Sequence, residues 1–264
     1  MAKKDEGQLP DHVQTNRTYW DGVAESWIPA GKRAWASPVP YWGVWGLLET
    51  ELCLLPENMS KLDAIELGCG TGYVSGWMAR RGASVVGIDN SERQLETARG
   101  LSREHGVEIE LLHGSAEAVP LPDASFDFAI SEYGAAIWCD PHVWIPEAHR
   151  LLRAGGDLVF LATTPLATVT MPLDGSMSEP RLHRDYFGLH KIDWTDAKVD
   201  PGGVEFSLPI SEWFGLFART GFEVVDYLEL RAPESMEGTP FESPAEWGKR
   251  WPYEHVWKVR KRGS

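Results

Sequence analysis

Only three cysteines, Cys53, Cys69 and Cys139, occur in 264 residues. They are odd in number, widely spaced and never form C-x-x-C, which argues against a disulfide framework or a zinc site and fits a reducing cytoplasm. No apolar run approaches the roughly 18 residues that cross a bilayer, and Met1 to Glu6 lack the apolar core of a signal peptide. Neither export nor membrane insertion is expected. Positive charge is also scarce: 25 Lys+Arg against 39 Asp+Glu leave −14, a surface that repels the phosphate backbone on which nucleic-acid affinity depends. The basic cluster Lys258, Arg260, Lys261 and Arg262 reads as a solvated chain end. No H-x-E, paired-carboxylate or Cys/His cluster has metal-ligand spacing, so no metal is expected.

What is present is ordinary globular composition, 43% hydrophobic and 24% charged, at a length that suits one α/β domain with an added cap. The first ten or so residues are polar and read as frayed. Aromatic residues then crowd before the first strand, and the apolar spacing of residues 43–55 predicts a helix stopped by Pro56 and Asn58. Leu62 to Leu67 reads as a buried strand, followed by Gly68-Cys69-Gly70-Thr71-Gly72 and a helix to about Arg81. Ser84 to Ile88 is a second strand ending at Asp89, with a helix from Ser91 to His105. Strands at 108–112, 126–131 and 157–162 and a helix at 141–152 continue the alternation.

Residues 163–209 break this rhythm with many prolines and glycines, and loops of this length in a compact domain usually cover a site. A helix at 210–219 and strands at 222–230 and 254–260 follow. The expected architecture is a Rossmann-like, seven-stranded, mostly parallel sheet with helices on both faces. It comprises an N-terminal helical segment (1–60), a cofactor-binding core (61–162), a cap (163–209) and a C-terminal part of the sheet (210–264).

In such sheets ligands bind beyond the carboxyl ends of the strands, where strand order reverses. The glycine loop falls there: Gly68 and Gly70 permit a tight turn and close approach, and the following helix offers unpaired N–H groups. Asp89, ending the second strand about 20 residues on, suits a ribose diol, with Asn90 beside it; its alternative role is to cap the next helix. A dinucleotide fingerprint would need a third glycine where Tyr73 stands.

With Glu66 ahead of it, E-L-G-C-G-T-G resembles the first motif of the class I S-adenosylmethionine-dependent methyltransferases, in particular the ubiquinone- and menaquinone-type small-molecule enzymes. Asp89 matches their ribose-binding acid. Gly114-Ser115-Ala116-Glu117, Val119-Pro120-Leu121 and Phe126-Asp127 resemble their adenine-binding stretch and fourth strand. Leu151 to Gly156 resembles their R-x-L-x-P-G-G turn, with Ala154 in place of proline.

The resemblance implies S-adenosylmethionine as cofactor and S-adenosylhomocysteine as product. It sets Gly68 and Gly70 at the methionine part, Asp89 and Asn90 at the ribose, and Ala116 and Glu117 at the adenine edge, where Ser115 replaces the aspartate of many relatives, and it counts Glu66 and Cys69 among the cofactor-binding residues. Ser131 and Glu132 would lie near the transferred methyl, and Tyr19 and Trp20 on a helix folded over the cofactor. Tyr133 and Trp138 would wall the acceptor pocket. The candidate bases are His142, His183 and His190. Thirteen tryptophans suggest an apolar or aromatic small-molecule acceptor. The competing reading is a non-catalytic S-adenosylmethionine- or S-adenosylhomocysteine-binding protein.

Overall fold

The computed structural model describes residues 9–199 and 201–263; most of the polar stretch expected at the start lies outside them. The chain opens with α1 (Asp11–Ala36), then a short hairpin of β1 (Tyr41–Trp42) and β2 (Leu47–Leu48) and the single turn α2 (Glu49–Leu52). The alternating core runs β3 (Asp63–Leu67), α3 (Tyr73–Arg80), β4 (Ser84–Asp89), α4 (Glu92–His105), β5 (Glu110–His113) and β6 (Phe126–Glu132). It continues through α5 (Ala135–Trp138), α6 (Pro141–Leu151) and β7 (Leu152–Thr163). After α7 (Pro165–Thr170) come the hairpin β8 (Lys191–Asp193) and β9 (Val204–Phe206), then α8 (Ile210–Thr220), β10 (Phe222–Leu230), a 3-10 turn (Pro240–Glu242), α9 (Ala245–Gly248) and β11 (Glu254–Lys261).

Seven strands form one sheet in the order β10-β11-β7-β6-β3-β4-β5. The chain leaves β3 toward β4 and β5, then returns to β6 and β7 on the other side, so strand order reverses between β3 and β6. The pairs β3–β4, β3–β6, β4–β5 and β6–β7 are parallel, and β11 runs antiparallel to both its neighbours. Parallel strands covered on both faces read as continuous apolar runs, and two buried clusters accordingly flank the sheet. One joins Ile65, Phe160, Trp213 and Trp257 with α6 and α8; the other joins Ala64, Met78, Ile130 and Val256 with the aromatic hairpin.

Two expectations need correcting. Residues 43–55 are mainly hairpin and loop: Gly43 and Gly46 take positive φ (65° and 63°), which turns the strand back and leaves only Glu49–Leu52 helical. Trp42 and Trp45 are buried by the hairpin instead, since one apolar spacing can serve a helix or an aromatic turn. The basic cluster near residue 260 is also no solvated end. Arg260 pairs with Asp157 (2.7 Å), and the Lys261 ammonium donates to the carbonyls of His149 and Leu152 (both 2.8 Å).

Candidate functional site

The C-terminal ends of β3, β4 and β6 open into a cavity of about 590 Å³. Its floor is the glycine loop, which the Gly68 and Cys69 N–H groups staple to the Ile88 carbonyl (2.8 and 3.0 Å). Gly68 (φ 79°) is in close approach: a Cβ there would lie 2.6 Å from the Ala135 nitrogen and the Gly134 Cα. Gly70 (φ 50°) has nothing within 4 Å of that position, so the space beside its Cα is open to a ligand.

Asp89 lines the cavity, and its carboxylate accepts from the N–H groups of Gly70 (2.7 Å) and Ser91 (2.8 Å). Burial raises its pKa against those two bonds. The cap of α4 is Ser91 itself, whose side chain accepts from the Gln94 N–H. Glu66 also reaches the cavity, but its Oε2 is held by the N–H and hydroxyl of Ser75 (2.7 and 2.5 Å), tying β3 to α3. Desolvation pushes its pKa up to about 8. Asn90 donates to the Val13 carbonyl and accepts from Arg17, fastening α1 to the end of β4.

Aromatic side chains form the opposite wall. Tyr19 stacks on Trp138 (centroids 5.8 Å, 30°), and Trp20 meets Trp138 edge-on (5.1 Å, 90°). Trp27 of α1 stacks on Phe241 (5.9 Å, 7°), joining the helix to the 231–253 segment at the cavity's edge. Beneath this helix the Trp35 indole donates to the Thr71 carbonyl (2.8 Å), which locks α1 onto the glycine loop.

Where β6 ends, Glu132 accepts from the Gly43 N–H (2.9 Å) and from the Tyr73 hydroxyl. The next residue, Tyr133, holds a positive φ of 53° and donates to Glu254 Oε1 (2.8 Å). Glu254 is fully buried, its pKa pushed up to about 8 by desolvation. It also accepts from the Val44 N–H (2.8 Å), so two carboxylates from the sheet hold the hairpin against the cavity.

Ten further sequence-predicted residues, Tyr19, Trp20, Cys69, Asn90, Ser115, Ala116, Glu132, Tyr133, Trp138 and Gly68, line this cavity together with Gly70, Asp89 and Glu66. Five predicted residues stand outside its wall. Ser131 turns into the sheet, donating to the Leu67 carbonyl (2.7 Å) and accepting from the Ala136 N–H. The Glu117 carboxylate is taken by His12 and the Asp140 N–H (both 2.7 Å). His142 packs its ring against His190 (5.3 Å), and His190 bonds Asp140 (3.0 Å). His183 lies 2.6 Å from Glu179, likewise away from the cavity wall.

Several contributors went unforeseen. The cap supplies Met171, Met177 and Trp194, and the 231–253 segment supplies Phe241, Ser243 and Tyr253. Buried Asn16 donates to the carbonyls of Trp138 and Val204 and accepts from the Val204 N–H, joining α1, α5 and β9. A single asparagine in a polar helix gives no signal of this. Tyr73, read only as a missing glycine, had a signal in its position directly after the loop.

Residues 65–160 match the family model described as a methyltransferase domain. A ubiquinone biosynthesis O-methyltransferase of Maricaulis maris (strain MCS10) is 34% identical over 99 residues, covering 37% of this chain and 39% of that protein; the chain thus spans about two fifths of that relative's length. An S-adenosylmethionine dependent methyltransferase from Mesorhizobium loti superposes with a TM-score of 0.66 at 24% identity, over 83% of this chain and all of that one. The [4+2]-cyclase SpnF superposes with a TM-score of 0.64 at 17% identity over 98% of both chains. Those two likenesses speak for the fold, and over residues 65–160 the chain is similar to methyltransferase domains.

Proposed function

We propose that this protein binds S-adenosylmethionine in the cavity and transfers its methyl group to a small-molecule acceptor that is apolar or aromatic. The observation that carries the reading is the single cavity with the glycine loop and Asp89 on one side and an aromatic wall on the other. The residues suit the cofactor: the space beside the Gly70 Cα is open, Asp89 offers a carboxylate to a diol, and rings stand where a sulfonium benefits from cation–π attraction. In this reading Gly68, Cys69 and Gly70 hold the methionine part, Asp89 the ribose, and Ser115 and Ala116 the adenine edge, while Tyr19 and Trp20 cover the cofactor.

When bound, the cofactor supplies an electrophilic methyl on a good leaving group, so alignment and exclusion of water account for much of the catalysis. Tyr133 and Trp138 orient the acceptor, and the 163–209 segment serves as a wall that closes over it. The name of the Maricaulis relative supports a small-molecule acceptor. The net charge of −14 argues against nucleic acid, and no helix among the described residues is long and apolar enough to cross a membrane. A cytoplasmic enzyme fits the three free thiols.

The test is calorimetric titration with S-adenosylmethionine, S-adenosylhomocysteine and NAD. Roughly micromolar binding of the first two without NAD is expected; binding of NAD alone overturns the reading. A second reading, cofactor binding without methyl transfer, is favoured by one observation: a protein called a cyclase shares the fold over nearly the whole chain. Turnover with any acceptor excludes it.

A further inference from the structure

Charge is distributed one-sidedly in the cavity. Four carboxylates line it, Glu66, Asp89, Glu132 and Glu205, and among the described residues no lysine, arginine or histidine does. Glu66 is committed to Ser75, and Asp89 sits on the glycine-loop side. Glu132 stands elsewhere, at the end of β6 among three tyrosines: Tyr73 bonds it, Tyr133 follows it, and Tyr41 is close enough to feel its charge. Tyr41 and Tyr73 are both braced by the Trp77 ring (5.9 and 5.1 Å).

A carboxylate has about four acceptor positions, and the Gly43 N–H and the Tyr73 hydroxyl fill two of those on Glu132. A half-buried carboxylate with acceptor capacity to spare and ring faces around it is the chemistry that recognises an organic cation. It is equally the chemistry that rejects an anion, which would enter a space lined by acids without a counter-charge.

Resting on the methyl-transfer reading above, we propose that the acceptor is an arylalkylamine, entering as its ammonium, and that Glu132 is the residue that holds its nitrogen. An ammonium is no nucleophile until deprotonated. The proton passes from nitrogen to the Glu132 carboxylate, and the nitrogen keeps the electron pair. Tyr73, whose own pKa burial drives far up, stays a neutral donor that fixes the carboxylate in place.

The test uses three probes of one shape and different charge, 2-phenylethylamine, 2-phenylethanol and phenylacetate, titrated calorimetrically into the full chain saturated with S-adenosylhomocysteine. The amine is expected to bind at least about tenfold tighter than the alcohol, with phenylacetate weakest. In Glu132→Gln the amine-to-alcohol ratio is expected to fall to near one, while Tyr73→Phe keeps it above one. Equal or tighter binding of the alcohol or of phenylacetate overturns the proposal, as does binding of none of the three. So does an amine preference that survives in a folded Glu132→Gln protein. The wild-type series decides the matter alone should that variant not fold. Absence of S-adenosylhomocysteine binding, with the amine preference intact, would instead sink the cofactor reading and leave the cation site standing.

Discussion

The two walls of the cavity are made in different ways. The glycine-loop wall is continuous chain, residues 66–90, in which backbone N–H groups and positive φ angles do the shaping. The aromatic wall is gathered from α1, the first hairpin, the β6–α6 connection, the cap and the 231–253 segment. Backbone geometry tolerates little change, because a Cβ in the wrong place meets other backbone. A wall of side chains can lose one ring and keep the rest. The first wall therefore suits an invariant ligand and the second a ligand that differs among proteins of one fold.

The contrast predicts a ranking of damage. Gly68→Ala should be worst, because it adds a Cβ at φ 79° against the backbone of Gly134 and Ala135. A loss of more than about 2 kcal/mol is expected in S-adenosylhomocysteine affinity or in unfolding free energy, and calorimetry with thermal melting reads both. A tolerated alanine would mean that the two walls are not so different. Asp89→Ala comes next, removing a charge-assisted acceptor for on the order of 2 kcal/mol of S-adenosylmethionine affinity. Unchanged affinity would take Asp89 out of the site.

Trp35→Phe deletes one buried hydrogen bond between the walls, to the Thr71 carbonyl, at a cost of about 1 kcal/mol in urea unfolding. An equal loss in cofactor affinity would sharpen the picture, since it would show that α1 orders the glycine loop. Apart from this ranking stands the pH dependence that the buried acids confer. Glu66 and Glu254 have folded pKa values of about 8 against an ordinary 4.5. Above 4.5 the unfolded chain has released protons that the folded chain retains, so this stability is complete below 4.5 and is lost as pH rises through 8. His255, driven down to about 3 from 6.5, acts oppositely but only below 6.5. Between pH 6.5 and 8 the melting temperature should therefore fall, and Glu254→Gln should flatten the fall; a level wild-type profile would refute it.

The same contrast explains what could be read in advance. Strands β3, β4 and β6, the glycine loop, Asp89 and α4 were legible because each is a local pattern with a local cause. The helix α1 was recognised only through Tyr19 and Trp20, and the 231–253 segment not at all, because their places depend on partners far along the chain. Tryptophan content is ambiguous in the same manner: Trp35, Trp42, Trp45, Trp144, Trp213 and Trp257 are fully buried core, whereas Trp20, Trp27, Trp138 and Trp194 line the cavity. Composition cannot separate the two groups. His142 is a candidate base only by its place soon after β6, and α6 carries it past the cavity, where the carboxylate of Glu132 stands instead.

Strand β11 sets a timetable for synthesis. It lies between β7 and β10 in the sheet but follows both in the chain. Until residues 254–261 leave the ribosome, β7 presents a bare edge and β10 has no partner, a state open to pairing with other chains. Glu254, which anchors Tyr133 and Val44, arrives with that strand. The binding chamber is therefore completed in the same event that closes the sheet, and a nascent chain halted before it would hold the glycine loop without the carboxylate that seats the hairpin.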